Sequence, residues 1–259
     1  MIKRKIDVNI LEYPAELHSL LQSGEVYDSS SGPDARTLYI SSGFYLKISA
    51  PGALASEAAL CRRFHGMGLG VEVMNYISAD RDYFVTRSAP GEDLTHLVNE
   101  PEKLCQVLAT ALRTLHSQPI EDLSVSPLFQ GYLKTANSPF TDRSMVDFVQ
   151  MDRFPIASRQ QAWTIMQEGK HKLKADTLIH GDACLPNVIC HEETFRTFID
   201  LGAAGVGDRH IDLFWAIWSL EYNLKTDQYT DYFLDQYGRE HMDFDILKVV
   251  AAFESYGET

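Results

Sequence analysis

His180, Asp182, Asn187 and Asp200 are of types that suit chemistry on a charged, oxygen-rich group, and all lie within one stretch, residues 178–213. It reads L-I-H-G-D-A-C-L-P-N-V-I-C, a short spacer, then F-R-T-F-I-D-L-G-A-A-G-V-G-D-R-H-I-D-L. Short aliphatic or β-branched runs at 178–179, 188–189 and 195–199 are each broken by Gly, Pro or a carboxylate, so acidic groups are expected at the ends of buried strands. Carboxylates and an amide carbonyl presented that way can hold a hard divalent cation and take a proton from a hydroxyl.

The offsets narrow the chemistry. His180-Gly181-Asp182, four residues, then Asn187 resembles the H-R-D-x-x-x-x-N loop of protein kinases, and Asp200-Leu201-Gly202 resembles their D-F-G. Phosphoryl transfer from ATP is mainly positioning and charge neutralisation, and it needs Mg²⁺ on the phosphates with oxygen ligands for that ion. Asn187 and Asp200 would supply the ligands. Asp182 would orient an acceptor hydroxyl and take its proton late. One Asp or Asn after a strand is ordinarily a turn former; the whole set at both offsets points to ATP and Mg²⁺.

Other elements must hold these groups. A short helix is expected over 13–21, then three strands over 25–30, 36–41 and 44–48, joined by small polar turns into an antiparallel meander. Ser31 and Gly32 fall in the first turn, where a flexible loop could fold over phosphates. Lys47 stands in the otherwise apolar third strand and must reach solvent or a partner. Glu57, early in a helix expected over 54–64, can be that partner, and the pair would orient the α- and β-phosphates. Strands over 72–77 and 83–87 complete the sheet. Residues 87–91, R-S-A-P-G, then read as a break between lobes, with backbone groups of Ser88 and Ala89 as candidates to meet the adenine.

Beyond the break the chain reads helical. Residues 101–117 place Leu104, Leu108, Leu112 and Leu115 on one face, with Pro101 suited to the first turn. His116 reads as a core or capping histidine. Residues 129–133 and 145–151 are weaker helical candidates, and 159–173 is clearer, with Trp163 and Met166 at apolar spacing. Further helices are expected over 211–222, 227–237 and 244–256. The expected fold is therefore α+β and two-lobed, with a small antiparallel-sheet nucleotide-binding lobe (1–88) and a mainly helical catalytic and acceptor-binding lobe (89–259).

Composition bounds the partners. The chain has 259 residues, 45% hydrophobic and 23% charged, ordinary for a globular protein. No apolar run approaches about 18 residues, so no membrane span is expected. The basic start, M-I-K-R-K, is followed by Asp7 and Glu12 rather than an apolar region, unlike a signal peptide. A net charge of −13 argues against nucleic acid and suits a cationic small-molecule substrate, although acidity also serves solubility. Cys61, Cys105, Cys184 and Cys190 show no zinc-type spacing, so reduced thiols in a cytoplasm are the expectation. Cys184 reads as a small filler, and nothing implies a protein partner.

These residues resemble the aminoglycoside phosphotransferases of the 3′-type, bacterial antibiotic-resistance kinases with a protein-kinase-like fold. H-G-D-A-C-L-P-N from His180 and F-I-D-L-G-x-x-G-x-x-D-R-x-x-D-L from Phe198 carry the resemblance, and Lys47, Glu57 and the Leu115-His116 helix end extend it. It implies Asp182 as catalytic base, Asn187 and Asp200 on Mg²⁺, and Lys47 with Glu57 on the triphosphate. Asp208 and Asp212 would be structural, the latter bracing the catalytic loop. Departures bear on the acceptor. Ala203 stands where the family commonly has Arg, and the next helix ends W-S-L-E-Y-N, keeping Glu221 as its acid. The C-terminus reads F-E-S-Y-G-E-T instead of Asp-Glu followed by aromatics. Glu221 and Glu254 are the candidates to bind a cationic aminoglycoside. The alternative is a kinase of another hydroxylated small molecule. A silent nucleotide-binding protein is disfavoured by the intact Lys47, Asp182, Asn187 and Asp200, and a metal hydrolase by the shortage of suitably spaced histidines.

Overall fold

The computed structural model describes residues 4–30 and 35–257. The chain divides into two units, Met1–Pro90 with Thr197–Gly202, and Gly91–Arg196 with Ala203–Thr259.

The first unit is built on a six-stranded sheet: β1 (Arg4–Lys5), β2 (Val26–Asp28), β3 (Arg36–Ile40), β4 (Phe44–Ser49), β5 (Val73–Ser78) and β6 (Asp82–Arg87), in the order β1-β2-β3-β4-β6-β5. Neighbouring strands pair antiparallel, with Leu46 opposite Leu38 on one side and Val85 on the other. Strand alternation sends Leu38, Ile40, Leu46, Ile48, Tyr83 and Val85 to one face, where they close a core with Leu17, Leu21 and Val26. The opposite face carries Tyr39, Tyr45 and Lys47.

Two expectations need correction here. Residues 13–21 are not one helix: 3₁₀ turns over Ile10–Glu12 and Ala15–Leu17 precede a four-residue α1 (His18–Leu21). Tyr13 is extended, as a residue before proline tends to be, and Pro14 starts the second turn. The edge strand β1 was not expected, because two adjacent basic residues carry no period; it pairs Arg4 with Asp28 and Lys5 with Tyr27.

Helix α2 (Ala55–Gly66) starts from a turn held by Asp82. That carboxylate, 0% exposed, accepts from Gly52 N (2.9 Å), Leu54 N (2.8 Å), Tyr76 Oη (2.9 Å) and Ser78 Oγ (2.7 Å). Donors at a helix start otherwise lack intrahelical partners.

The second unit is mainly helical: α3 (Pro101–His116), α4 (Pro127–Asn137), α5 (Arg159–Gly169), α6 (Arg209–Leu224), α7 (Thr230–Tyr237) and α8 (Phe244–Tyr256). The leucines expected on one face of α3 are all buried, and the helix packs on α7. Helix α5 packs on α8 so closely that a Cβ on Gly169 would run into Val249 Cγ2. It stops at Gly169, and a 3₁₀ turn, Lys170–Lys172, replaces the rest of the helix expected to 173. Residues 145–151 form only a 3₁₀ turn, Asp147–Val149. Short strands β7 (Glu92–Asp93), β8 (Thr177–Ile179), β9 (Val188–His191), β10 (Thr194–Phe198) and β11 (Gly205–Gly207) make two small sheets, β10-β9-β7 and β11-β8. Thr197 and Phe198 at the end of β10 belong to the first unit.

Candidate active site

In the first unit, Lys47 does find its partner. Its Nζ donates to both Glu57 oxygens at 2.9 Å and to Asp200 Oδ1 at 2.8 Å. Glu57 is buried on the first turn of α2, so Asp82, by fixing that turn, acts on the pair. Burial lowers the Lys47 pKa, but Asp200 and Glu57 outweigh it and the ammonium is held above its ordinary value. The segment bearing Asp200 is anchored by Phe198 N donating to Leu69 O at 2.8 Å. Asp200 itself has φ +58°, a left-handed conformation that Asp tolerates better than most side chains.

Tyr45 shares the Lys47 face, two residues earlier on β4, and its ring lies 5.0 Å from that of Tyr39. Tyr45 was not among the expected site residues; its signal in the sequence is the two-residue offset from Lys47 on one strand. Of the hinge candidates, Ser88 and Ala89 are half-buried, and Ser88 N is committed to Gly43 O at 2.9 Å. Ser31 and Gly32 lie outside the described residues.

In the second unit, one buried carboxylate organises the catalytic loop. Asp212, 0% exposed, accepts His180 N on Oδ2 and Gly181 N on Oδ1, each at 2.8 Å, and His116 Nε2 on Oδ2 at 3.0 Å. With Nε2 donating, His116 Nδ1 accepts from Tyr237 Oη at 2.8 Å. Gly181 has φ +82°, and a Cβ there would meet Ala203 O at 2.5 Å, so the loop needs glycine at that point.

This clamp leaves Asp182 half-buried. Asn187 Nδ2 donates to Asp182 O at 2.9 Å and to its Oδ2 at 2.8 Å. The loop then docks on α6 through Leu185 N to Ser219 Oγ, 3.0 Å. That serine was also missed; a buried hydroxyl within an apolar helix was its signal. Asp208 caps α6 through His210 N at 3.0 Å. Burial pushes its pKa up, but bonds and charge from His210 and the backbone donor of Lys174 outweigh that and hold it low. Cys184 is a filler as expected: burial, then Asp182, drives its thiol far above the ordinary range.

The acceptor candidates are already engaged. Glu221 Oε1 accepts Thr230 Oγ1 at 2.9 Å and lies 3.9 Å from Arg153 Nε; burial raises its pKa. Glu254 Oε1 accepts from Trp215 Nε1 at 3.1 Å and from Tyr132 Oη.

Taken separately, each unit carries a hard oxygen donor of the kind magnesium takes. Asn187 uses its amide nitrogen on Asp182, which turns the hard oxygen Oδ1 the other way, and Asp200 commits Oδ1 to Lys47 while Oδ2 has no part in that bond. Among the described residues no group of three or more His, Cys, Asp or Glu gathers as a metal cage. Magnesium on a nucleotide needs only one or two protein oxygens beside phosphates and water.

Known proteins match this chain over most of its length. The sequence profile of the phosphotransferase enzyme family matches residues 29–247. A protein of Lactococcus lactis subsp. lactis (strain IL1403) named "Probable aminoglycoside 3′-phosphotransferase" is 40% identical over 260 residues, covering 98% of each chain. The crystal structure of aminoglycoside-3′-phosphotransferase of type VIII covers 89% of this chain and 91% of its own, with a TM-score of 0.63 at 20% identity. APH(3″)-Id from Streptomyces rimosus, in complex with ADP and streptomycin, covers 93% and 100%, with a TM-score of 0.65 at 17% identity. The two structures show the fold, protein-kinase-like and α+β.

Proposed function

Because the chain belongs to the phosphotransferase enzyme family, we propose that it transfers the γ-phosphoryl group of ATP to a hydroxyl of an aminoglycoside, as a 3′-phosphotransferase. The observation that carries this reading is the Lys47 ammonium clasped by Glu57 and by Asp200, a residue 153 positions away. A strand lysine held ready by a helix carboxylate suits the α- and β-phosphates. Phosphate oxygens then take the place of Asp200 on Lys47, while Tyr45 offers its ring to the base and the 88–89 backbone its polar groups.

In this reading Mg²⁺ would be held by Asn187 Oδ1 and the Asp200 carboxylate, and would supply charge neutralisation on the phosphates. Asp182 accepts a hydrogen bond from the acceptor hydroxyl and aims its oxygen at the γ-phosphorus. As the new O–P bond forms and the bond to the β–γ bridging oxygen breaks, the hydroxyl proton passes to the Asp182 carboxylate and ADP departs. Asn187, bonded to Asp182 Oδ2, keeps that carboxylate in one rotamer.

A second reading, a kinase of another hydroxylated small molecule, is favoured by the prior engagement of Glu221 and Glu254. A coupled ADP-release assay with kanamycin, neomycin, simple sugars and amino alcohols, run beside Asp182→Ala, separates the two. The expected result is magnesium-dependent turnover with kanamycin that the variant loses. Turnover only with a non-aminoglycoside puts the second reading in place of the first, and no ATP turnover with any acceptor defeats both. Such an enzyme works where ATP is, in the cytoplasm, and its expression should raise kanamycin tolerance in a sensitive host. No helix among the described residues is long and apolar enough to cross a membrane.

A further inference from the structure

The second unit carries an aromatic row that the reaction as described does not use. Trp215, Trp218 and Tyr222 fall at i, i+3 and i+7 of α6, on one side of the helix. Trp218 stacks on Tyr222, ring centroids 5.1 Å apart and planes within 12°. It meets Trp215 and Phe148 edge-on at 5.5 and 6.0 Å. Trp218 Nε1 donates to Phe148 O at 2.9 Å, fixing the Asp147–Val149 turn beside the helix. Even so, Phe148 and Tyr222 remain 67% and 58% exposed. A contiguous exposed apolar patch is a mark of an interaction surface or ligand-binding groove.

The inner end of the row lies at the catalytic loop. Cys184 Sγ, two residues beyond Asp182, is 3.9 Å from Trp215 O, and Leu185 N bonds Ser219 next to Trp218. The outer end already holds a cation: Lys225 Nζ sits over the Tyr222 ring, 4.0 Å from its centroid. Between Trp215 and Tyr222 the helix rises about 10 Å, the length of a ligand of two linked six-membered rings.

We propose that this row is the platform for the acceptor rings remote from the phosphorylated hydroxyl. Apolar ring faces lie against Trp218, Tyr222 and Phe148, and a ring ammonium replaces Lys225 Nζ over Tyr222. The inference rests on the phosphotransferase reading and gives its acceptor class as a cationic, multi-ring carbohydrate. Ring stacking and cation–π contact add to whatever recognition Glu221, 3.9 Å from Arg153 Nε, supplies.

The test is steady-state kinetics with kanamycin on wild type, Tyr222→Leu, Phe148→Leu and Lys225→Met, with the KM for ATP as internal reference. Both leucine changes are at exposed positions, and melting temperatures check that the variants fold. The expected result is an acceptor KM raised about tenfold in each, with kcat and the KM for ATP held. Lys225→Met, which uncovers the Tyr222 face, should lower the acceptor KM. Trp215 and Trp218 are two of the three tryptophans, so kanamycin should change the intrinsic fluorescence and Trp218→Phe should remove most of that change. An acceptor KM unmoved in both leucine variants overturns the platform and leaves the phosphotransferase standing. A wild type that turns over none of the acceptors defeats the phosphotransferase reading, and the platform with it.

Discussion

The catalytic loop and the outer half of α6 belong to the same unit yet use their carboxylates in opposite ways. In the loop, Asp212 is buried and accepts from His180 N, Gly181 N and His116 Nε2, while Asp182 stays half-buried and accepts the Asn187 amide on Oδ2. The two acids proposed for the acceptor, Glu221 on α6 and Glu254 on α8 against it, carry structural bonds themselves: Glu221 is tied to Thr230 and Glu254 to Trp215. What that region exposes is aromatic. A reaction centre needs a carboxylate with a lone pair to spare, whereas recognition of a ring can be left to surfaces without charge.

Asp182→Asn should separate the two roles most sharply. The amide keeps the shape and cannot take the hydroxyl proton, so kcat should fall by about 10³. The melting temperature and the acceptor KM should hardly change. A fall of less than tenfold would show that Asp182 is not the base. Asp212→Asn should act differently. An amide offers one acceptor oxygen where two N–H groups converge, and its own NH₂ would face a donor. A stability loss of about 3 kcal/mol in urea unfolding is expected, with kcat reduced as the loop loosens. An Asp212→Asn chain of wild-type stability would remove the loop side of the contrast.

Asp82 extends the contrast to the first unit, as a structural acid acting on a functional one. Burial alone would raise its pKa, but Ser78, the Gly52 and Leu54 N–H groups and Tyr76 together bring it below the ordinary 3.8. With the folded pKa below the unfolded one, its contribution is complete above about pH 4 and is lost as pH falls through the folded value. Asp82→Asn should therefore lower stability by about 2 kcal/mol at pH 7 and flatten the acid limb of the stability curve. Since Glu57 depends on the same turn, the KM for ATP should rise more than kcat falls. An unchanged acid limb would remove Asp82 from this role.

Legibility in the sequence follows the same division. The Lys47–Glu57 pair and the close approach of Asn187 to Asp182 could be anticipated because phosphoryl transfer would fix both residue type and local offset, and the buried leucines of α3 because helical period does. Asp82 could not, since its partners Gly52 and Leu54 are 30 and 28 positions away and a lone acid before a strand looks like a turn residue. Residues 145–151, a weak helical candidate by sequence, form no α-helix because their shape is set from outside: Ser255 O accepts from Val146 N at 2.9 Å, and Trp218 Nε1 donates to Phe148 O. The aromatic row was visible only as letters in a helix. Its exposure depends on what α6 packs against, which no local pattern records.

The smallest effects should come from the acceptor carboxylates, and there the two differ. Glu254 Oε1 accepts from the Trp215 indole N–H and the Tyr132 phenol, donors that bring no positive charge to it. Glu221 has Arg153 beside it and a pKa raised by burial, so its field is already partly cancelled. Neutralising Glu254 as Gln should raise the acceptor KM about fivefold, an effect that shrinks in high salt because the lost contact is ionic. Glu221→Gln should shift it less than twofold at any ionic strength. Equal, salt-sensitive effects at both positions would mean that Arg153 does not screen Glu221, and that charge reaches further along α6 than the aromatic surface suggests.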